Sequence, residues 1–248
     1  MSDDFQERFA RQISLPDIGE EGQRRLGRAT VAVVGLGGLG SPAALYLAAA
    51  GVGTLVLIDG DRLEISNLQR QVLYSADEVG RFKAECADRR LHALWPGLKT
   101  RIEPRPLAAD TASGSLAGVD VIVEATDRVA AKLMTARVAH QLGKPCIHGG
   151  IIGFEGQILT VQPGRTTCYG CLWSGLENEP ARTPRGPLGA VPGVIGSLQA
   201  AEAIKVILGI GRSLTDRLLI CNLLTMDWRT VDVRQNAGCA ICGTLHKI

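Results

Sequence analysis

Aromatic residues are scarce in this 248-residue chain, at 4%. It also has no polybasic run, no internal repeat and no low-complexity segment. With a formal net charge of only +2 and no basic cluster, it offers no electrostatic footprint for nucleic acid. The longest apolar stretches are broken by glycine or charge before they reach the roughly 20 residues that a membrane-spanning helix needs. The first residues, MSDDFQERFARQ, are charged and hold no apolar core, so they do not read as a secretory signal. These absences point to a soluble cytoplasmic protein with neither nucleic acid nor a membrane among its partners. The chain does hold 46% hydrophobic residues, enough for a sizeable core. Its 30 glycines suit alternating strands and helices joined by tight turns.

Residues 31–61, VAVVGLGGLGSPAALYLAAAGVGTLVLIDGD, organise the rest. They read as a buried strand (31–35), a glycine-rich turn, a helix over about 39–50 and a second buried strand (54–59), with Gly51 and Gly53 ending the helix. Gly35, Gly37 and Gly40 hold the G-x-G-x-x-G spacing, and Gly38 is an extra glycine inside the turn. The first two permit a tight turn and close approach of backbone to phosphate, and the third lets the helix pack on the strand. The helix start offers an anion free N–H groups and the positive end of the dipole. Asp59 closes the second strand, where a carboxylate accepts hydrogen bonds from ribose hydroxyls.

Ahead of this stretch, residues 3–12 and 18–27 read as two short polar helices, an arm on which Arg8 and Arg11 are solvated charges. After it comes a loop (60–74) dense in Asp61, Arg62, Glu64, Asn67, Gln69, Arg70 and Gln71. A helix over 77–94 carries Lys83, with Val79, Phe82, Cys86 and Leu91 as its apolar stripe. A short strand (101–103) and a buried strand (119–124) follow. Ala125, Thr126 and Asp127 then lie at the carboxyl end of that buried strand, the edge where open α/β sheets bind ligands. A helix over 129–142, strands over 145–152 and 157–161, a buried helix over 196–208 and two late antiparallel strands (218–223, 228–233) complete the pattern. The Pro/Gly-rich stretch 175–193 is too long for a mere connection. The expected fold is α/β: a Rossmann-like, doubly wound, mostly parallel sheet with a C-terminal antiparallel extension. It divides into a helical arm (1–28), a nucleotide-binding core (29–152) and a C-terminal part (153–248).

Seven cysteines are present, four of them in two C-x-x-C hooks, Cys168/Cys171 and Cys239/Cys242. Cys86, Cys146 and Cys221 are scattered, and an odd count argues against a disulfide framework. Two hooks complete a tetrahedral four-sulfur shell with no open position, which suits structural zinc (Zn2+). A redox dithiol and an iron–sulfur cluster are the alternatives. Zinc here would staple the C-terminal tail to the segment preceding the long loop.

The glycine turn admits two ligands. In one reading it holds NAD and Asp59 reads the cofactor ribose. In the other it holds ATP, with Arg70 and Lys83 on the phosphates and Asp127 on a magnesium ion (Mg2+). Those three side chains on one sheet edge fit a polyphosphate better than a nicotinamide.

The chain resembles the MoeB/ThiF family, relatives of ubiquitin-activating enzymes that adenylate the C-terminal glycine of small sulfur-carrier proteins. The resemblance rests on RFARQ (8–12), VVGLGGLGSPAALYLAAAGVG, LIDGD, SNLQRQ (66–71), VGRFKAE (79–85), ATD (125–127), EGQ (155–157), GVIGSLQAAEAIK (193–205) and both cysteine pairs. It implies ATP rather than NAD. Gly38 and its neighbours would contact the nucleotide, Asp59 and Asp61 would lie at the ribose, and Asp127 would position magnesium. Ser66, Asn67, Leu68, Gln69 and Arg70, with Lys83, would bind the phosphates. Arg11 would reach into the partner subunit's site of a homodimer, and the four cysteines would bind zinc. The implied partner is a ubiquitin-like carrier ending in Gly-Gly.

Two departures matter. Family members commonly read T-D-N where this chain has Thr126-Asp127-Arg128, which either adds a cation for phosphate binding beside the nucleotide or places one that points away. Many also carry a loop cysteine where Arg182 and Thr183 stand, and no thiol lies between Cys171 and Cys221. A covalent step from that loop is thus not expected, and the sequence runs only a few residues past Cys242. The expectation is an adenylyltransferase that serves a MoaD-like carrier in molybdenum-cofactor synthesis and relies on a separate sulfur donor. Activation of a ThiS-type carrier for thiamine, and a catalytically inactive nucleotide-binding scaffold, are the alternatives.

Overall fold

The structure is a computed structural model and describes residues 3–176 and 186–243. The positions of Arg182 and Thr183 lie outside the described residues. In chain order the elements are α1 (Asp3–Ile13), α2 (Gly19–Arg28), β1 (Thr30–Val34), α3 (Gly40–Ala49), β2 (Thr54–Ile58), α4 (Lys83–Leu94), β3 (Lys99–Glu103) and α5 (Ala112–Ser115). Then come β4 (Val121–Glu124), α6 (Val129–Gln141), β5 (Cys146–Ile152), β6 (Glu155–Val161), α7 (Tyr169–Trp173), α8 (Ala190–Leu208), β7 (Arg217–Asn222) and β8 (Asp227–Asp232).

The strands form one sheet in the order β3-β2-β1-β4-β5-β6-β7-β8. The first five are parallel, and β6, β7 and β8 add to the edge antiparallel. Alternation sends successive residues of each central strand to opposite faces, so a strand covered on both sides must be apolar throughout. Val31 and Val33 of β1, with Leu55 and Leu57 of β2, pack on one face under α3, α4 and α8. Ala32, Val34, Val56 and Ile58 point the other way, to α5 and α6. The expected doubly wound α/β fold with an antiparallel extension is therefore present.

The connection from β1 leads through α3 to β2, whereas β4 pairs on β1's other side. The carboxyl ends of β1 and β4 thus flank a topological switch point, the usual ligand crevice of such sheets.

Several boundaries differ from the sequence expectation. The helix expected over 77–94 begins only at Lys83, preceded by a 3₁₀ turn at Ala76–Glu78. Gly80 between them has φ +89°, and Arg62 and Phe82 form a β-bridge, which holds the chain out of helix. Val79 is accordingly exposed, and only Cys86 and Leu91 of the expected stripe are buried. The late helix starts at Ala190 rather than 196. It is long and apolar enough to cross a membrane by length and composition. In the structure, however, it packs against the sheet and α3, burying Val191, Ile195, Gln199, Ala200, Glu202 and Ala203. Gly51 ends α3 with φ +82°, as expected. Gly53 is instead needed because a Cβ there would lie 2.0 Å from the Gly27 carbonyl oxygen.

The N-terminal arm is more than a polar decoration. Phe9 is 2% exposed, stacks edge-on against Phe5 and Trp95, and fills the space that Gly51 leaves open. Arg8 lies with its guanidinium 4.6 Å from the Trp95 ring and donates to the Leu94 carbonyl. Gln12 and the buried Gln23 both donate to the Ala50 carbonyl at the end of α3. Phe9→Ala should therefore lower unfolding free energy by about 3–5 kcal/mol, measured by denaturant titration. A change of only a few tenths would mean that α1 adds nothing to the core.

Candidate functional site: the glycine-turn edge and the cysteine cluster

β1 runs into the turn at Gly35, which has φ +87°. A Cβ at Gly35 would lie 2.9 Å from the Ala125 carbonyl group, and one at Gly40 only 1.9 Å from the Gly35 oxygen. Only glycine fits either place. Gly37 and Gly38 are glycines of a different kind, since a Cβ at Gly37 would meet only Gln71 Nε2 at 3.6 Å. At Gly38 it would lie 3.1 Å from Pro192 and 3.4 Å from the Arg70 side chain. The polar loop and the start of α8 therefore arrive directly over the turn.

Leu36 in the turn is held by side chains. Its N–H donates to Asp59 Oδ2 at 2.7 Å, and its carbonyl accepts from Tyr74 Oη at 2.7 Å and Ser41 Oγ at 3.3 Å. The first turn of α3 has neither an acidic residue nor a side-chain cap. The Ser41 amide donates to the Gly37 carbonyl at 2.9 Å and Pro42 has no N–H, so of the first three α3 residues only Gly40 keeps an amide for an external anion.

Asp59 is only 9% exposed, and its second oxygen accepts the Asp61 amide at 2.8 Å. Burial raises its carboxyl above the usual range, although the two amides and the Lys83 ammonium partly offset this. Lys83 opens α4 with its side chain 6% exposed, and Nζ lies 2.8 Å from Asp61 Oδ2, which faces solvent. Arg70 is half-buried and donates to the Ser66 carbonyl at 3.1 Å. Asn67 is buried and closes the 3₁₀ turn Ile65–Asn67 by accepting from the Glu64 amide. Ser66 and Gln69 are exposed and Leu68 half-buried. The loop residues expected to bind ligand thus also build the loop.

At the end of β4, Asp127 and Arg128 are exposed. Neither side chain has a hydrogen bond or ion pair among the described residues. The backbone just before them is pressed against the turn: the Ala125 amide donates to the Val34 carbonyl at 2.8 Å. Asp59, Lys83, Arg70 and Asp127 therefore share the sheet edge of the glycine turn.

Arg11 is not brought there. α1 is tied to the C-terminal end of α3, and the ten residues of α3 separate that end from the turn by ~15 Å.

Sequence reading named Gln71 only as a loop residue, and missed three further members of this edge, Tyr74, Glu124 and His148. Gln71 is 4% exposed beside Gly37, and its Oε1 has no hydrogen-bond partner among the described residues. Tyr74 holds the turn as described. Glu124, the last residue of β4, is fully buried, and its Oε2 lies 2.6 Å from Lys132 Nζ of α6. Burial alone would raise the Glu124 carboxyl, but the ammonium holds it below the usual range. His148 is buried 3.6 Å from Glu124 and stacks on Tyr169, and burial pushes its pKa down. The available signal was a carboxylate ending the otherwise apolar run VIVE.

The four cysteines of the two hooks converge as expected. Their sulfurs all lie within 4.8 Å of one another, with Sγ–Sγ separations of 3.6 Å for Cys168–Cys171, 3.4 Å for Cys168–Cys239 and 3.3 Å for Cys171–Cys242. These exceed the ~2.05 Å of a disulfide and approach the ~3.8 Å edge of a tetrahedron with sulfurs ~2.3 Å from a central zinc. The Asn236 and Ile241 amides point at Cys171 and Cys239 sulfur, each at 3.4 Å. The cluster sits in an apolar pocket of Leu133, Leu159, Val161 and Ile241, so the C-terminal segment is held against α6, β6 and α7.

Comparison with known proteins places this geometry in context. The model of the ThiF family matches residues 9–241. The sulfur carrier protein adenylyltransferase of Thermus thermophilus is 42% identical over 245 residues, covering 96% of this chain and 90% of that protein. The sulfur carrier protein ThiS adenylyltransferase of Escherichia coli is 39% identical, covering 95% and 94%. Among solved structures, E. coli MccB crystallised with ATP superposes with a TM-score of 0.80 at 26% identity, covering 90% of this chain and 69% of that one.

Removing the Tyr74 hydroxyl leaves the Leu36 carbonyl with Ser41 alone. Tyr74→Phe should cost about 0.5–1.5 kcal/mol of stability, read from chemical unfolding. No change would show that this bond does not tie down the turn.

Proposed function

The chain belongs to the ThiF family, and from that membership and the geometry of the turn we propose that it is an ATP-dependent adenylyltransferase acting on a ubiquitin-like sulfur-carrier protein. The observation that carries this reading is the placing of cations around the glycine turn. Lys83 is buried yet its only ion-pair partner among the described residues is the exposed Asp61, and Arg70 lies across Gly38. The triphosphate of ATP carries more negative charge than the pyrophosphate of a nicotinamide dinucleotide, so two such cations suit it better. The relatives' names support the activity, and the MccB complex supports ATP as the ligand.

The chemistry follows from charge. The carrier's C-terminal carboxylate attacks the α-phosphorus of ATP, forming an acyl-adenylate while pyrophosphate leaves. Two anions must meet, so the barrier falls with preorganised positive charge and fixed orientation. The α3 N-terminus with Gly35, Gly37, Gly38 and Gly40 would cradle phosphate, and Asp59 would meet the ribose. Lys83 would exchange part of its pairing with Asp61 for phosphate oxygens. Ser66, Asn67, Leu68 and Gln69 would line the loop that carries Arg70, and Arg128 would add a further cation. Asp127, exposed and unpaired among the described residues, suits a magnesium ion, which would neutralise phosphate charge. The sulfur spacing of Cys168, Cys171, Cys239 and Cys242 fits structural zinc. Residues 153–248 would then form the stapled, carrier-binding part.

The placing of Arg11 at the far end of α3 favours a homodimer in which it serves the partner's site rather than its own. A carrier ending in Gly-Gly fits the family chemistry. Absence of a thiol between Cys171 and Cys221 favours a MoaD-like carrier and a separate sulfur donor. The ThiS-named relative favours a ThiS-type carrier as a second reading.

Lys83→Ala and Arg70→Ala should each reduce carrier-dependent ATP–pyrophosphate exchange by about 10²-fold or more, with folding unchanged and about one zinc retained per chain. Full exchange by both variants would overturn the assignment, and exchange tested with each carrier type would decide between them. Mixing Arg11→Ala with Lys83→Ala chains should restore exchange if Arg11 acts across subunits. Two inactive variants that stay inactive when mixed would place Arg11 in its own site or outside catalysis.

A further inference from the structure

The buried Glu124–Lys132 pair has the geometry of a device that aims the nucleotide edge. Glu124 is wholly buried, a position a carboxylate occupies only when paired and hydrogen-bonded. Its two oxygens divide the work. Oε1 accepts from the Thr126 amide at 2.8 Å and from the Thr126 hydroxyl. Oε2 accepts from Lys132 Nζ at 2.6 Å. The same ammonium donates to the Gly149 carbonyl of β5 at 2.5 Å, so one cation ties α6, β4 and β5 together. From α8, Gln199 Nε2 donates to the Glu124 carbonyl at 2.8 Å and the Ile147 carbonyl at 3.0 Å, which fixes the strand ends behind the pair.

Thr126 is where this clamp meets the ligand edge. Its amide nitrogen would lie 3.1 Å from a Cβ at Gly35, so its backbone packs directly on the glycine turn, and Asp127 is the next residue. A loop this close to the turn cannot move without disturbing Gly35. Backbone bonds pin the two ends of this loop, Ala125 N–H to the Val34 carbonyl at 2.8 Å and Lys132 N–H to the Arg128 carbonyl at 3.0 Å. Between them the Glu124 bonds to Thr126 hold the middle, since neither Asp127 nor Arg128 has a side-chain partner among the described residues.

We propose that Glu124 and Lys132 are positioning residues: they hold the Thr126–Asp127 backbone against the glycine turn so that Asp127 faces the phosphates at a fixed distance. This rests on the adenylyltransferase reading for its consequence, though not for its geometry. Removing one charge would strand the other in the interior, so the informative variant replaces both, Glu124→Met with Lys132→Met. Two readouts apply: hydrogen exchange of the Thr126 amide, with Ala125 as the internal reference, and the magnesium concentration that half-saturates pyrophosphate exchange. The double variant should fold cooperatively, lose protection at the Thr126 amide while the Ala125 amide and β1 keep it, and need about tenfold or more magnesium. In the otherwise parental chain, Lys132→Arg, which keeps the cation, should leave both readouts near the parent values. Thr126→Val keeps the buried pair but deletes the hydroxyl bond, and should shift both readouts in the same direction by less. Protection and magnesium dependence equal to the parent protein in the double variant would overturn the proposal. If that variant does not fold, parent-like values in Thr126→Val would overturn it. Absence of exchange activity in the parent chain would count against the adenylyltransferase reading alone, because hydrogen exchange still decides the positioning role.

Discussion

Three pieces of backbone meet at Gly35 with no room for a side chain, and the ligand edge depends on that approach. The carbonyl oxygen of Gly35 occupies the place of a Cβ on Gly40, and the Ala125 carbonyl occupies that of a Cβ on Gly35. The turn after β1, the start of α3 and the end of β4 are thereby locked to one another. At the start of α3 the Gly37 carbonyl takes the Ser41 amide and Pro42 has no N–H, so the Gly40 amide is the one left there for an anion, with no acidic residue or side-chain cap competing for it.

Around this contact the protein keeps its polar groups partly engaged and partly free. Asp59 and Tyr74 hold the Leu36 amide and carbonyl, so the turn is rigid before any ligand arrives. Lys83 is buried along its stem but paired with an exposed carboxylate, a partner that water screens and a phosphate can replace. Arg70 reaches over Gly38 while anchoring to its own loop at Ser66. Preorganised donors of this sort stabilise charge that develops during reaction without reorganisation at that moment. The cysteine cluster lies away from this edge, in a pocket between α6, β6 and α7. Its physical part is to fix the C-terminal segment to the extension of the sheet.

Much of this was legible in the sequence. The doubly apolar strands, the G-x-G-x-x-G turn, Asp59 and the paired hooks each carry a local signature, because each depends on residues close together in the chain. Arg70, Lys83 and Asp127 were also legible, as residues following strand ends. The failures share a cause. The helix expected to begin at 77 does not, because the bridge between Arg62 and Phe82, distant in sequence, overrides an apolar stripe that periodicity alone suggested. Phe9 was hidden inside a polar helix because its partners, Trp95 and the gap at Gly51, lie far along the chain. Glu124 and Lys132 read as an unremarkable strand end and a helix charge until α6 folds back over β4.

What the sequence by itself determined was the alternation of elements, the glycine turn with its acidic strand end, and the spacing of the cysteine hooks, all set by local sterics and hydrophobic period. Only the tertiary structure decided which side chains meet. It pressed Thr126 onto Gly35, buried the Glu124–Lys132 pair behind it, and set Arg11 at the end of α3 away from its own turn. Those outcomes arise from packing between segments far apart in sequence, where the burial of one group forces the pairing of another. No local pattern records that requirement.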